Sequence, residues 1–209
     1  MKYLACLVSL LLVLSCTSQP DPSQPKNSQP TQSQPTQSQP DPSLADVFAP
    51  WDGKWKGEFI IYEDSLGQQE GDPFPEIKSL EELQALPLKE TFRVQVEQEY
   101  ISETPFYQTV KIQDTYAEAD GKLKTVISTG YNKVEGSELI CVVNKPDEQV
   151  IHKAVVPAPN TIIWSRDIRD PELKIEYFYE KVEADTYYIV GWGYYGSDDP
   201  EKQPKMWFY

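Results

Sequence analysis

The sequence contains little cysteine, one histidine and only one long apolar run. Cysteine occurs three times and histidine once in 209 residues. Zinc sites usually need three or four Cys, His or carboxylate ligands, so the sequence does not predict a metal site. The apolar run covers residues 4–14. One run of this length leaves no room for a protein with several membrane-spanning helices.

Basic residues are also scarce. There are 19 Lys and Arg residues against 33 Asp and Glu residues, which gives a formal net charge of −14. A chain this acidic repels nucleic acid and anionic lipid headgroups, so we do not expect nucleic acid as a partner. Apolar residues make up 39% of the chain, which is too much for a wholly disordered protein.

The N-terminal segment has the features of an export signal. Lys2 precedes the apolar run, which is too short to span a bilayer as a helix but has the length of a signal-peptide core. The segment ends in Val13-Leu14-Ser15-Cys16. The alternatives are an ordinary cleaved secretory signal with an incidental cysteine, or a buried N-terminal helix.

This ending resembles the lipobox of bacterial lipoprotein precursors. In that family the cysteine receives fatty acyl chains such as palmitate and becomes the new N-terminus. The resemblance implies that residues 1–15 are a signal peptide, that Cys16 is lipidated, and that the protein is anchored to a membrane of the bacterial cell envelope. The outer membrane or the cell surface is the expected location. No intramolecular disulfide is then possible, because Cys141 is the one thiol that remains.

A short repeat follows the cysteine. Residues 18–42 divide into five pentads that each begin with Ser-Gln-Pro. Proline fixes φ and disfavours helix at the residue before it, so we expect polyproline II and coil conformations. At about 3.1 Å per residue, this stretch would reach roughly 75–80 Å when fully extended. Residues 16–43 are therefore predicted to be a lipidated cysteine with a tether, and residues 44–209 a single domain.

The domain alternates apolar and polar residues with a period of two almost throughout. Such alternation is typical of antiparallel strands with one buried face. Turn signals separate the strands, among them Asp120-Gly121, Glu135-Gly136 and Asp170-Pro171. One helix is predicted at residues 79–86, inside an insertion that follows the first strand. About ten short strands must hide their edges, so we predict a closed up-and-down β-barrel of 8–10 strands, with a β-sandwich as the alternative.

The first strand begins with a Gly-x-Trp pattern at Gly53 and Trp55. Here the sequence resembles the calycin superfamily of lipocalins and fatty-acid-binding-protein-like barrels. The resemblance implies a barrel that binds a small hydrophobic molecule. Some lipocalin-like barrels bind haem through one histidine, but for His152 we favour a hydrogen-bonded or solvent-facing strand residue, and we predict no cofactor.

The sequence contains no recognisable set of catalytic residues. A Gly-x-Ser-x-Gly elbow and a phosphate-binding glycine loop are both missing, and Cys141 lies among aliphatic residues that make a thiol inert. The candidate ligand-binding residues are aromatic side chains on faces interpreted as inward, with Phe178 interpreted as outward: Trp55, Phe59, Trp164, Tyr177, Tyr179 and Trp192.

Three functions are compatible with these features, in order of preference. The first is a lipid-anchored envelope protein that binds a small hydrophobic or amphipathic ligand inside its barrel. The second is a structural or interaction lipoprotein with a filled barrel, whose acidic surface meets a protein partner. The third, an enzyme, ranks last because no acid, base and nucleophile can be assigned together.

Overall fold

The computed structural model describes residues 38–64, 85 and 88–196, together with the backbone of residues 206–208. Two short 3-10 turns, Pro42–Leu44 and Ala49–Trp51, precede ten strands. The strands are β1 (Gly53–Asp64), β2 (Leu88–Thr104), β3 (Tyr107–Ala117), β4 (Leu123–Glu135), β5 (Glu138–Asn144), β6 (Gln149–Ala158), β7 (Thr161–Ile168), β8 (Lys174–Glu183), β9 (Thr186–Tyr195) and β10 (Met206–Phe208). The predicted signal peptide lies outside the described residues, and so does the predicted helix at residues 79–86 except for Ala85, which lies in a turn.

The strands form a closed antiparallel barrel. Each strand from β1 to β9 pairs with the next one along the chain, and β10 lies between β9 and β1. Gly121 and Gly136 lie in two of the tight turns with φ of +81° and +60°, a backbone conformation that side chains disfavour. The prediction of an all-β up-and-down barrel is confirmed.

The wall between β1 and β9 is closed over only part of its length. The three-residue strand β10 pairs with Ile61–Glu63 on one side and with Gly191–Gly193 on the other. Residues 53–60 of β1 pair with β2, and residues 186–190 of β9 pair with β8. Among the described residues, neither segment has a strand partner on its other side. We call the gap between these two segments the seam.

One half of the barrel interior is filled by side chains. A buried cluster there includes Val110, Leu139 and Ile162, each at most 5% exposed. Phe48 and Trp51, from the turns before β1, are 2% exposed and belong to the same cluster. We call this region the filled half. The N-terminal turns therefore close this end of the barrel.

The end of the proline-rich repeat contacts the same end of the barrel. The backbone N–H of Asp41 donates to the carbonyl of Gly136 at 2.7 Å. The Asp41 side chain accepts hydrogen bonds from the N–H and hydroxyl of Ser43 at 2.9 and 2.8 Å. Asp41 therefore connects the end of the repeat to the turn between β4 and β5.

Candidate functional site

The other half of the barrel contains a cavity of about 710 Å³. Its apolar wall includes side chains from β1, β2, β3, β5, β8 and β9: Trp55, Phe59, Val96, Ile112, Val143, Phe178 and Ile189. We call this region the hollow half. Ligand pockets for small molecules usually have volumes of about 300–1,000 Å³, so the cavity has the size of a ligand site.

The cavity reaches the outside through the seam. Consecutive residues line it on both sides of that gap, namely residues 55–59 of β1 and, on the other side, Asp185 and residues 186–189 of β9. Neighbouring residues of a strand point to opposite faces of the sheet. The cavity therefore extends to the edges of both strands, and in the described part of the chain the seam gives it a lateral opening.

Gly57 leaves space at the centre of this wall. It faces the interior between Trp55 and Phe59, and a Cβ placed on it would have no neighbouring atom within 4 Å. Gly191 differs, because a Cβ there would lie 2.2 Å from the Cβ of Phe178. Gly191 is thus required for packing, whereas Gly57 keeps the cavity open.

A network of polar and charged side chains lies in the cavity wall, around Glu176. Glu176 is bound by His152 Nε2 at 2.5 Å, by Arg166 Nη2 at 2.9 Å and by the Tyr195 hydroxyl at 2.8 Å. Glu148 accepts from Arg166 Nη1 at 3.2 Å and from Lys174 Nζ at 2.8 Å. We call these six residues the Glu176 network. All of them line the cavity.

The cations of this network determine the charge state of its carboxylates. Burial by itself raises the pKa of Glu176, but the hydrogen bonds and charges of His152 and Arg166 outweigh it and lower the pKa to about 2. The hydrogen bond from Lys174 likewise lowers the pKa of Glu148. Both groups are therefore carboxylates at neutral pH, and each is paired with cations of the protein.

A second buried carboxyl group lies four residues further along β8, in the filled half. Glu180 is 6% exposed and accepts hydrogen bonds from the Trp164 indole and the Tyr187 hydroxyl. The Tyr187 hydroxyl also lies 3.1 Å from that of Tyr100. Burial raises the pKa of Glu180, and these neutral donors oppose the rise only in part.

The structure brings two of the six candidate ligand residues together at the cavity. Trp55 and Phe59 both line it. Trp164 faces the interior but belongs to the filled half, where it is 2% exposed and donates to Glu180. It is not among the residues that line the cavity.

The inward orientation that we expected for the other three residues is wrong. Phe178 lines the cavity, so its strand neighbours Tyr177 and Tyr179 point outward. Trp192 stacks on Tyr177 on this outer face, with ring centroids 6.0 Å apart. The outer face of β8 and β9 carries its own apolar clusters. Tyr177 and Tyr179 of β8 therefore pack on the outer face, and Glu176 and Glu180 face the interior.

The remaining predicted residues have simpler outcomes. His152 faces the interior, is 7% exposed and is hydrogen-bonded to Glu176, as the favoured interpretation required. Burial, and then the charge of Glu180, raise the pKa of the Cys141 thiol, which agrees with an inert cysteine. Cys16 lies outside the described residues.

Sequence reasoning missed the charged residues of the cavity. Arg166 and Glu176 alternate with other residues in a pattern that is typical of a solvent-facing strand row. Only the register, which places Arg166 opposite Glu176, shows that they neutralise each other inside the barrel. Within the described ranges, no three His, Cys, Asp or Glu side chains group as metal ligands.

No known protein family, characterised protein or solved structure matches this chain. In the part of the chain that the structure describes, no helix is long and apolar enough to cross a bilayer.

Proposed function

We propose that this protein is a lipid-anchored protein of the bacterial cell envelope that binds a small amphipathic molecule inside its barrel. The observation that supports this proposal is the cavity of about 710 Å³ in the hollow half. It combines an apolar wall with polar and charged groups, and such a combination suits a molecule with an apolar body and a polar head.

The geometry of the barrel also supports a binding role. Gly57 keeps space between Trp55 and Phe59, and the seam gives a ligand a route from the side. A barrel that served only as a rigid scaffold would gain stability from filling this volume, because each unfilled cavity loses packing contacts.

The test is the binding of a fluorescent fatty acid to the full chain, followed by quenching of tryptophan emission. Trp55 lines the cavity, so we expect quenching that saturates at about one probe per chain. Gly57→Leu places a side chain in the cavity and should weaken binding at least about tenfold. Thr129→Leu adds the same side chain at an exposed position of β4 and should leave binding unchanged.

Two results would contradict the binding proposal. One is that no apolar probe binds. The other is that Gly57→Leu and Thr129→Leu bind the probe equally well, which would place the probe outside the cavity. Either result would favour the second candidate function, an interaction lipoprotein whose acidic surface meets a protein partner.

The anchoring part of the proposal rests on Cys16. Its support is the Leu14-Ser15-Cys16 ending after a short apolar core. Cys16→Ser should release the protein from the membrane fraction and remove the mass of the acyl chains. Cys6→Ser, inside the signal peptide, is the matched control and should leave both unchanged. Membrane association that persists in Cys16→Ser, together with an unchanged mass, would contradict lipidation at this position.

A catalytic role has weaker support. The His152–Glu176 pair resembles a general base with its orienting carboxylate, but Arg166 shares that carboxylate. Among the described residues, no serine or cysteine forms a hydrogen bond with His152. The pair is part of the hydrogen-bonded network that lines the cavity.

A further inference from the structure

The polar groups of the cavity differ in whether the protein already satisfies them. Both carboxylates of the Glu176 network are bound by cations of the same network. Outside that network, Lys56 is paired with Glu97 at 2.6 Å and Glu58 with Arg93. A ligand headgroup gains little at these positions, because it would have to displace an existing ion pair.

Two acceptors elsewhere in the cavity wall have no such partner. Ser128 is 2% exposed and lines the cavity, and its Oγ has no hydrogen-bond partner among the described residues. Asp114 is half-buried and also lines the cavity. It makes no hydrogen bond or ion pair with any residue in the described part of the chain. A buried polar atom without a partner is costly, so a partner supplied by a ligand would stabilise the complex.

The two acceptors lie side by side on the interior face. Ile112 pairs with Ser128, and Asp114 pairs with Val126, so Asp114 and Ser128 are diagonal neighbours on adjacent strands. Such neighbours lie about 7–8 Å apart at their backbones, and their side chains lie closer. One small donor group can therefore contact both acceptors.

The charge at this point favours a cation. Burial raises the pKa of Asp114, and the charge of the exposed Lys145 opposes this rise without forming an ion pair. A bound cation would supply the close countercharge that the Asp114 carboxylate does not have. A bound carboxylate would instead face Asp114 as a like charge, and its donors at this point would be the Ser128 hydroxyl and the exposed Lys145, which also lines the cavity.

We propose that the ligand carries a primary ammonium head that donates hydrogen bonds to Asp114 and Ser128, with its alkyl body against Trp55, Phe59 and Phe178. This inference rests on the proposed function, because it specifies the chemistry of the molecule that the cavity takes. The ligand class is a long-chain primary amine or another amphiphile with an amino head.

The experiment compares three twelve-carbon probes on the full chain by titration calorimetry: dodecylamine, dodecanol and dodecanoate. We expect dodecylamine to bind about ten- to hundredfold more tightly than dodecanoate, the range for one hydrogen bond to a charged group. Asp114→Asn should remove most of this preference. Ser128→Ala should weaken the binding of dodecylamine and of dodecanol by a smaller factor, since both probes donate a hydrogen bond to the Ser128 hydroxyl. Asp147→Asn removes the same charge outside the cavity lining and should leave the preference intact.

Lys145→Gln gives a second and opposite readout. It removes the cation that competes at Asp114, so it should tighten dodecylamine binding and leave dodecanol binding unchanged. If dodecanol and dodecanoate bind and lose affinity in Gly57→Leu, while dodecylamine binds no better than dodecanoate, the ammonium inference is wrong and the proposed function stands. If none of the three probes binds, the proposed function fails and the inference fails with it.

Discussion

The filled and hollow halves of the barrel are built by the same strands and differ in how their inward side chains are satisfied. In the filled half, Leu139, Ile162 and Trp164 pack together under the N-terminal turns and are at most 2% exposed. In the hollow half, β5 and β7 present Val143 and Arg166 to the cavity, and β8 presents Glu176. The chain thus packs one half of its interior with side chains and leaves a cavity in the other half.

Two glutamates on β8 show the difference at the level of single residues. Glu176 in the hollow half is bound by cations and has a pKa of about 2, whereas Glu180 in the filled half has neutral donors and a raised pKa. Both face the interior, so burial alone does not set their charge. The charge of each glutamate depends on the residue that lies opposite it on β7. Arg166 lies across from Glu176, and Ile162 lies across from Glu180.

The largest expected effect comes from removing the cation of the Glu176 network. Arg166→Met should lower the free energy of unfolding by about 3–5 kcal/mol, because it leaves a buried carboxylate with fewer countercharges. Arg169→Met is the control, since Arg169 pairs with Asp167 where both side chains are more than half exposed. That change should cost less than about 1 kcal/mol. Urea unfolding measures the free energy of unfolding of both variants. Equal losses of stability in the two variants would show that the Glu176 network is not buried.

The second largest expected effect is a difference in packing between the filled half and the hollow half. Leu139→Ala in the filled half should lower the free energy of unfolding by about 2–5 kcal/mol, because it leaves a new cavity in a dense cluster. Ile189→Ala in the hollow half should cost about 1–2 kcal/mol, because Ile189 already borders open space. Denaturant unfolding of the two variants compares them directly. Similar losses would mean that the hollow half is packed.

The two glutamates should give opposite pH dependences. The pKa of Glu176 falls from 4.5 to about 2 on folding, so its stabilisation is present above pH 4.5 and is lost as the pH falls toward 2. This contribution is about 3 kcal/mol, and Glu176→Gln should remove it. The pKa of Glu180 is raised from 4.5, so its stabilisation is present below pH 4.5 and is lost as the pH rises through the folded value.

Glu180→Gln should therefore become more stable relative to the parent chain as the pH rises above 4.5. Melting temperatures measured from about pH 3 to pH 8 test both variants. Shifts of the pH profile in the same direction for the two variants would contradict the assigned charge states.

The smallest effects concern the repeat. Deleting residues 18–36 should change the free energy of unfolding by less than about 0.5 kcal/mol, because these residues add no apolar side chain besides proline. Deleting residues 18–42 also removes the Asp41–Gly136 hydrogen bond and the Asp41 cap, and should cost about 1 kcal/mol. Calorimetric melting separates the two, and a large loss from the shorter deletion would mean that the repeat docks onto the barrel.

The sequence predicted the barrel well because alternation and turn signals are local properties. The Asp120-Gly121 and Glu135-Gly136 turns connect paired strands where they were expected. The predicted faces of β8 and β9 were wrong for a physical reason. Both rows of β8 contain residues that can be buried, and apolar character alone assigned the interior to Tyr177 and Tyr179.

The candidate site depends on how neighbouring strands pair, and local sequence patterns do not contain this information. Arg166 and Glu176 neutralise each other only because β7 and β8 pair in one register. Asp114 and Ser128, which have no hydrogen-bond partner among the described residues, can be recognised only when the cavity and the partners of every neighbouring group are known. Trp55 and Phe59 could be predicted, because both belong to one clearly alternating strand that begins at the Gly-x-Trp pattern.

Methyl NMR of the valines tests the division of the barrel most directly. On addition of a twelve-carbon amphiphile, we predict saturable shifts at about one equivalent for the hollow-half valines Val96, Val143 and Val150. The filled-half valines Val110, Val134 and Val182 should keep their positions. Equal shifts in both sets, or no shifts in the hollow half at saturating probe, would contradict the division into a filled and a hollow half.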